Sequence, residues 1–141
     1  LRGSTRKIMS IGLGTGSRLP AYCTSMGRVL LAALPPEEAR AILPATPLQT
    51  HTGRTVTDVD ALMAEVAQTR ARGWSLVDQE LEEGLISVAA PIIGRQGKTL
   101  AAINVSGQAN RTDAATMRAR ILPPLLRAAQ TLTERLGGLS R

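Results

Sequence analysis

Few residues in this chain have the types and spacing to do chemistry. Cys23 is its only cysteine and His51 its only histidine. A thiol nucleophile needs a base and a group to orient that base. His51 lies far along the chain in a threonine-rich loop, and nothing in the sequence brings it to Cys23, so a buried structural thiol is the simpler reading. A small cysteine-dependent hydrolase or transferase is the alternative. Asp78, Glu80, Glu82 and Glu83 form an acidic cluster at the end of an extended segment. Carboxylates can hold a hard cation or act as an acid–base pair, but neighbours on a strand point to opposite faces and only two can share one. Glu82 and Glu83 read as a solvated turn, while Asp78 and Glu80 stay in consideration. Gly12-Leu13-Gly14-Thr15-Gly16 has the glycines of a phosphate cradle without its spacing. No helix opens directly from it and Pro20 follows, so it reads as a flexible loop. Asn104 and Ser106 stand at i and i+2 and therefore share one face of a strand. On an interior face such groups need partners, either each other or a ligand in a concave site.

The elements that must position these residues follow from the hydrophobic periods. Residues 7–13 alternate loosely and predict a strand. A helical pattern begins at Thr24, with Met26, Val29, Leu30 and Ala33 on one face, and Pro35-Pro36 ends it. Residues 36–42 predict a short helix with proline and acids in its first turn. After a polar loop over 44–55, Thr57 and Asp60 have the spacing of a capping box. The helix that follows buries Leu62, Met63, Val66 and Ala67, and Gly73 suits its C-terminal cap. Residues 74–79, 86–93 and 99–106 predict three strands, the last two joined by a hairpin turn at Gly94-Arg95-Gln96-Gly97. Ile121, Leu122, Leu125, Ala129, Leu132 and Leu136 mark a final helix that Pro123-Pro124 must kink or split. This order implies an α+β fold with an antiparallel sheet flanked by helices.

Composition bounds the rest. A chain of 141 residues and 14.9 kDa is one domain, residues 1–141, able to bury about two-thirds of its unfolded surface without a staple. Its single cysteine excludes a disulfide framework or cysteine-rich zinc site and suits a reducing cytoplasm. With no Phe, one Trp and one Tyr, the core must be aliphatic and a base-stacking platform is excluded. No apolar run is long enough for a membrane helix, and no signal peptide precedes Leu1. The chain starts without a methionine, which fits a piece of something longer. The net charge of +6 invites nucleic acid, but the 17 basic residues, nearly all arginine, are scattered from Arg2 to Arg141 without a block. They read as dispersed solvated charge. No metal or cofactor is implied.

The run Arg18-Leu19-Pro20-Ala21-Tyr22-Cys23-Thr24-Ser25-Met26-Gly27-Arg28-Val29-Leu30-Leu31-Ala32 resembles the central motif of the IclR family of bacterial transcription regulators. The likeness continues through Gly73-Trp74, Asp78-Gln79-Glu80, Gly84, Val88-Ala89-Ala90-Pro91 and Ala101-Ala102-Ile103-Asn104-Val105-Ser106-Gly107. It spans nearly the whole chain, and Tyr22-Cys23-Thr24 is similar to the branch that regulates protocatechuate, 4-hydroxybenzoate and β-ketoadipate catabolism. The resemblance implies the C-terminal effector-binding domain, a GAF/PAS-like fold, with a winged helix-turn-helix DNA-binding domain upstream of Leu1. It implies a cytoplasmic homodimer or tetramer, a small organic acid as effector, DNA contact only through the upstream domain, and no catalysis. It further implies a pocket lined by Ile8, Ile11, Thr24, Ser25, Met26, Gly27, Asp78, Leu85, Ser87, Asn104 and Ser106.

Elementary physics agrees with such a pocket. A helix opening near Thr24 offers unpaired N–H groups and a positive dipole end to a carboxylate. Thr24, Ser25, Asn104 and Ser106 add neutral hydrogen-bonding groups, and Ile8, Ile11, Met26 and Leu85 an apolar wall. Val77 stands where glyoxylate-sensing relatives carry an acid, which disfavours a very small oxo acid. Gln108 replaces a common proline and Ile86 a usual arginine. The expectation is a phenolic or keto carboxylic acid whose hydroxyl meets Asp78, since an effector carboxylate there would be repelled. A pure oligomerisation module is the other alternative, with Asn104 and Ser106 facing a subunit interface.

Overall fold

The structure, a computed structural model, describes residues 20–139 except Thr46 and Arg95. The strand expected over 7–13, the glycine loop, Ile8 and Ile11 lie outside the described residues. Helices α1 (Ser25–Ala32), α2 (Pro36–Ala45) and α3 (Val59–Arg72) come first. Strands β1 (Ser75–Asp78), β2 (Leu85–Ile93) and β3 (Thr99–Gln108) follow, then a single helical turn α4 (Ala114–Thr116), a π-helical turn (Met117–Ile121) and α5 (Leu122–Leu139). Among the described residues the sheet is antiparallel in the order β1-β2-β3. The α+β class and the antiparallel sheet are therefore as expected.

Strand β2 lies in the middle of this sheet and is covered on both faces, which accounts for its nearly continuous apolar run. Ile86, Val88 and Ala90 point one way, into a cluster with Met117, Leu122, Leu125 and Ala129 from the C-terminal helices. Fully burying an aliphatic side chain of the size of Ile86 contributes about 1.5–3 kcal/mol. Ser87 and Ala89 point the other way, toward α1. A second cluster of Tyr22, Cys23, Leu31, Ala32, Ala39, Leu43, Leu62 and Val66 ties α1, α2 and α3 together.

Pro123 and Pro124 do not end the helical path. They follow directly on the π-helical turn, where the ladder widens and Leu122 N–H reaches back to Met117 C=O, so the continuous helix absorbs the two missing N–H groups there. Helix α2 likewise runs past its expected end to Ala45, carrying Pro44 in its last turn. Three other expectations are corrected. The N-cap of α3 is Asp58, whose Oδ2 accepts from Ala61 N–H at 2.9 Å, while Thr57 does not cap and Asp60 pairs with Arg40 at 2.6 Å. Its buried face carries Leu62, Val66 and Thr69, with Met63 half-buried and Ala67 exposed. The buried face of α1 is Ser25, Arg28, Val29, Leu31 and Ala32, whereas Leu30 is 46% exposed. The helix is turned by about one residue because Arg28, not a hydrophobe, occupies the interior stripe.

Two glycines are required for different reasons. Gly73 closes α3 in the left-handed region at φ 83°, with open space around its missing Cβ. A Cβ on Gly27 would stand 2.4 Å from Ala21 Cα and 2.5 Å from Thr24 Oγ1. Gly73→Ala is expected to cost about 1 kcal/mol through backbone strain alone, with Gly73→Asn recovering part of it. Gly27→Ala must push α1 off the preceding turn, at about 1–3 kcal/mol. Urea unfolding midpoints check both, and equal effects would contradict the distinction.

Candidate functional site

The polar site grows from the start of α1. Thr24 is its N-cap in extended conformation, its Oγ1 accepting from Gly27 N–H at 3.2 Å and donating to Pro20 C=O at 2.8 Å. That leaves the Ser25 and Met26 amides at the helix mouth without an acceptor inside the helix, at its positive dipole end. Ser25, 2% exposed, accepts through Oγ from the Ser87 hydroxyl at 2.8 Å, and Ser87 is 8% exposed. Met26 and Gly27 are half-buried beside them.

Sheet register completes the set. Ser87 stands opposite Ser106, and Ala89 opposite Asn104, so these groups share the face that α1 packs against. Asn104 Nδ2 donates to Ser106 Oγ at 3.1 Å; Ser106 is half-buried and Asn104 exposed. Leu85 has the same parity and lies opposite Gln108. The structure thus brings Ser25 to Ser87, with Thr24, Met26 and Gly27 adjoining Ser25 in the first turn of α1 and Leu85, Asn104 and Ser106 on the same sheet face as Ser87.

Asp78 is not brought to this face. Val77 is the β1 residue opposite Ser87, while Asp78 lies opposite Ile86 and so has the parity of the face covered by the C-terminal helices. Its carboxylate accepts from Arg54 Nη1 at 2.9 Å and Gln79 Nε2 at 3.2 Å. Asp78 is thus engaged by Arg54 and Gln79 and lies off the face that carries Ser87. Glu80 has a structural partner that sequence reading missed: the buried Arg28, whose Nη1 and Nη2 donate to its two oxygens at 3.1 and 2.5 Å.

Residues 4–134 match the family model described as the C-terminal domain of the bacterial transcriptional regulator IclR. The chain belongs to the IclR family. It is 45% identical over 135 residues to the Pca regulon regulatory protein of Pseudomonas putida, covering 96% of this chain and 46% of that protein. It is 45% identical to the transcriptional regulator RHA06195 of Rhodococcus sp. RHA1, with a TM-score of 0.88 over 92% of this chain and 52% of that one. The inducer-binding domain of the Acinetobacter transcription factor PobR, solved as a double mutant with 3-hydroxybenzoic acid, is 34% identical with a TM-score of 0.79. That match covers 84% of this chain and 67% of the PobR chain. The chain spans about half the length of the curated relatives it matches.

The other chemistry-bearing groups of this IclR domain have structural partners. Cys23 is fully buried, and His51 Nε2 lies 3.0 Å from the Tyr22 hydroxyl, not at the thiol. Tyr22 Oη also donates to Gln49 C=O at 2.7 Å and accepts from Gln49 N–H at 2.9 Å. Several arginines work locally. Arg70 holds Ala32 C=O and Leu34 C=O at the end of α1, and Arg72 stacks 4.1 Å above the Trp74 ring. No helix among the described residues is long and apolar enough to cross a membrane, and none of their acidic, histidine and cysteine side chains group as metal ligands.

Burial pushes the Cys23 thiol up to about 11, against a smaller downward pull from Arg28, and burial likewise raises Tyr22 above its ordinary range. At pH 8 the thiolate fraction is then about a hundredfold below that of an ordinary thiol, and the thiol is fully buried besides, so folded protein should react with iodoacetamide at least about a hundredfold more slowly than unfolded protein. Both groups hold their protons more tightly folded than unfolded. Stability present below pH 9 should therefore fall as pH rises toward about 11, and less steeply in Cys23→Ser. Denaturant midpoints between pH 8 and 11 check the sign; a rise over that window contradicts it.

Proposed function

We propose that this domain senses a small aromatic or keto carboxylic acid between the start of α1 and the sheet, and passes the binding state to an N-terminal DNA-binding domain within a homodimeric or tetrameric regulator. The observation that carries the reading is the Ser25–Ser87 hydroxyl pair beneath the open amides of α1. The Ser25 and Met26 amides and the helix dipole favour a carboxylate, while Ser87, Ser106 and Asn104 supply neutral hydrogen-bonding groups for the rest of the molecule. Met26 and Leu85 contribute apolar contact. A sensor of this kind needs differential affinity between two conformations and no catalytic group. The names of the Pca regulon regulatory protein and of the PobR–3-hydroxybenzoic acid complex support an acid of the hydroxybenzoate type.

The test is a thermal-shift screen against protocatechuate, 4-hydroxybenzoate, β-ketoadipate, glyoxylate and pyruvate, with turnover followed in parallel. An acid at a hundred times its Kd adds about 2.7 kcal/mol, a shift of several degrees in Tm. Ser25→Ala and Ser87→Ala should each weaken binding roughly tenfold, about 1.4 kcal/mol, whereas Asp78→Asn should leave affinity and discrimination among hydroxylated benzoates unchanged. No shift with any of the acids, or turnover of one, overturns the proposal.

A further inference from the structure

Arg28 is the largest fully buried side chain among the described residues, 1% exposed, and carries a full charge into the interior. Each of its three nitrogens has a partner. Nε donates to Tyr22 C=O at 3.0 Å, Nη1 to Glu80 Oε2 at 3.1 Å and Nη2 to Glu80 Oε1 at 2.5 Å, a two-pronged fork onto one carboxylate. Glu65 adds a more distant negative charge at 3.9 Å. A buried ion pair of this kind is weak as a source of stability, because well-packed apolar residues often serve as well or better. What the fork supplies is fixed geometry between segments remote in sequence.

Those segments are the two sides of the proposed site. Arg28 lies one helical turn after Ser25 on the same buried stripe. Glu80 belongs to the β1–β2 connection, which enters β2 two residues before Ser87. The connection is itself clamped. Thr52 Oγ1 donates to Gln79 C=O at 2.6 Å and Thr55 Oγ1 to Glu80 C=O at 2.6 Å. Gln79 is held at a left-handed φ of 61°, with its amide N–H on Leu85 C=O at 2.8 Å. Helix start and strand start are thus joined twice, by the Ser25–Ser87 hydroxyls and by the Arg28–Glu80 fork beneath them.

We propose that the Arg28–Glu80 fork is the positioning unit of the effector site: it sets the spacing of Ser25 and the α1 amides from Ser87, and acid affinity depends on it beyond its share in stability. This rests on the sensor reading given above. The decisive variant is Arg28→Met/Glu80→Met, which removes both charges and leaves neither unpaired. Its Tm should lie near that of the wild type, while isothermal titration with 4-hydroxybenzoate and with protocatechuate should show at least tenfold weaker binding. Arg28→Lys, which keeps the charge and loses the planar fork, should bind at least fivefold more weakly. Binding by the double variant within twofold of wild type overturns the proposal. If that variant does not fold, Glu80→Gln replaces it under the same criterion. If the wild type binds neither these two nor any other acid of the screen, the sensor reading fails by itself, and the fork is tested without ligand by amide exchange. Glu80→Gln should then speed exchange at residues 25–27 and 87 at least tenfold while residues 125–129 stay unchanged. Equal protection at all of these positions overturns the positioning role.

Discussion

The fold depends on the double coverage of β2. A strand with helices on both faces has no solvent side, so the phase of its alternation decides what each residue meets. Ile86, Val88 and Ala90 meet the aliphatic C-terminal helices, and their burial fixes the register against both neighbours. Ser87 is thereby forced inward on the opposite face, where a bare hydroxyl would be penalised. Its hydrogen bond to Ser25 meets that requirement and at the same time draws the polar start of α1 onto the sheet.

Helix α1 is accordingly held by polar as well as apolar contacts. It has eight residues, too few to be stable alone in water, and its buried stripe mixes Ser25 and Arg28 with Val29 and Ala32. Thr24 fastens its first turn, Gly27 permits close approach of the preceding segment, and Arg70 grips the carbonyls at its far end. Directional bonds specify one orientation of so short a helix. A purely apolar face would allow it to roll or slide, and the relation of its amides to Ser87 and Ser106 would be lost.

Much of this was legible in the chain wherever the controlling contact is local. The helix start near Thr24, Gly73 as a terminator, the hairpin at 94–97 and the placing of Asn104 and Ser106 on one face all follow from neighbours in sequence. The failures have long-range causes. Arg28 reads as a solvated charge until Glu80 arrives from the β1–β2 connection, and that misassigned residue turned the whole inferred face of α1 toward Leu30. Asp78 enters the expected site through the acidic cluster and the family resemblance, neither of which fixes the face it takes on its strand. Only pairing with Ser87 fixes Val77 on the inner face and sends Asp78 to Arg54. Asp58 caps α3 because it stands one residue nearer the helix than Thr57 and, like it, can accept from an N–H.

Trp74 gives the molecule a built-in optical reporter. It is the only tryptophan, set between the end of α3 and the start of β1, half-buried beside the aliphatic cluster and lying under the Arg72 guanidinium. Its emission therefore registers the environment of the sheet and the C-terminal helices. Tyr22, the only tyrosine, sits at the root of α1 with its hydroxyl bound to the 49–51 loop. Each half of the domain thus carries one chromophore of its own. Tryptophan emission excited at the red edge, where tyrosine does not absorb, can therefore follow the surroundings of Trp74 alone in unlabelled protein.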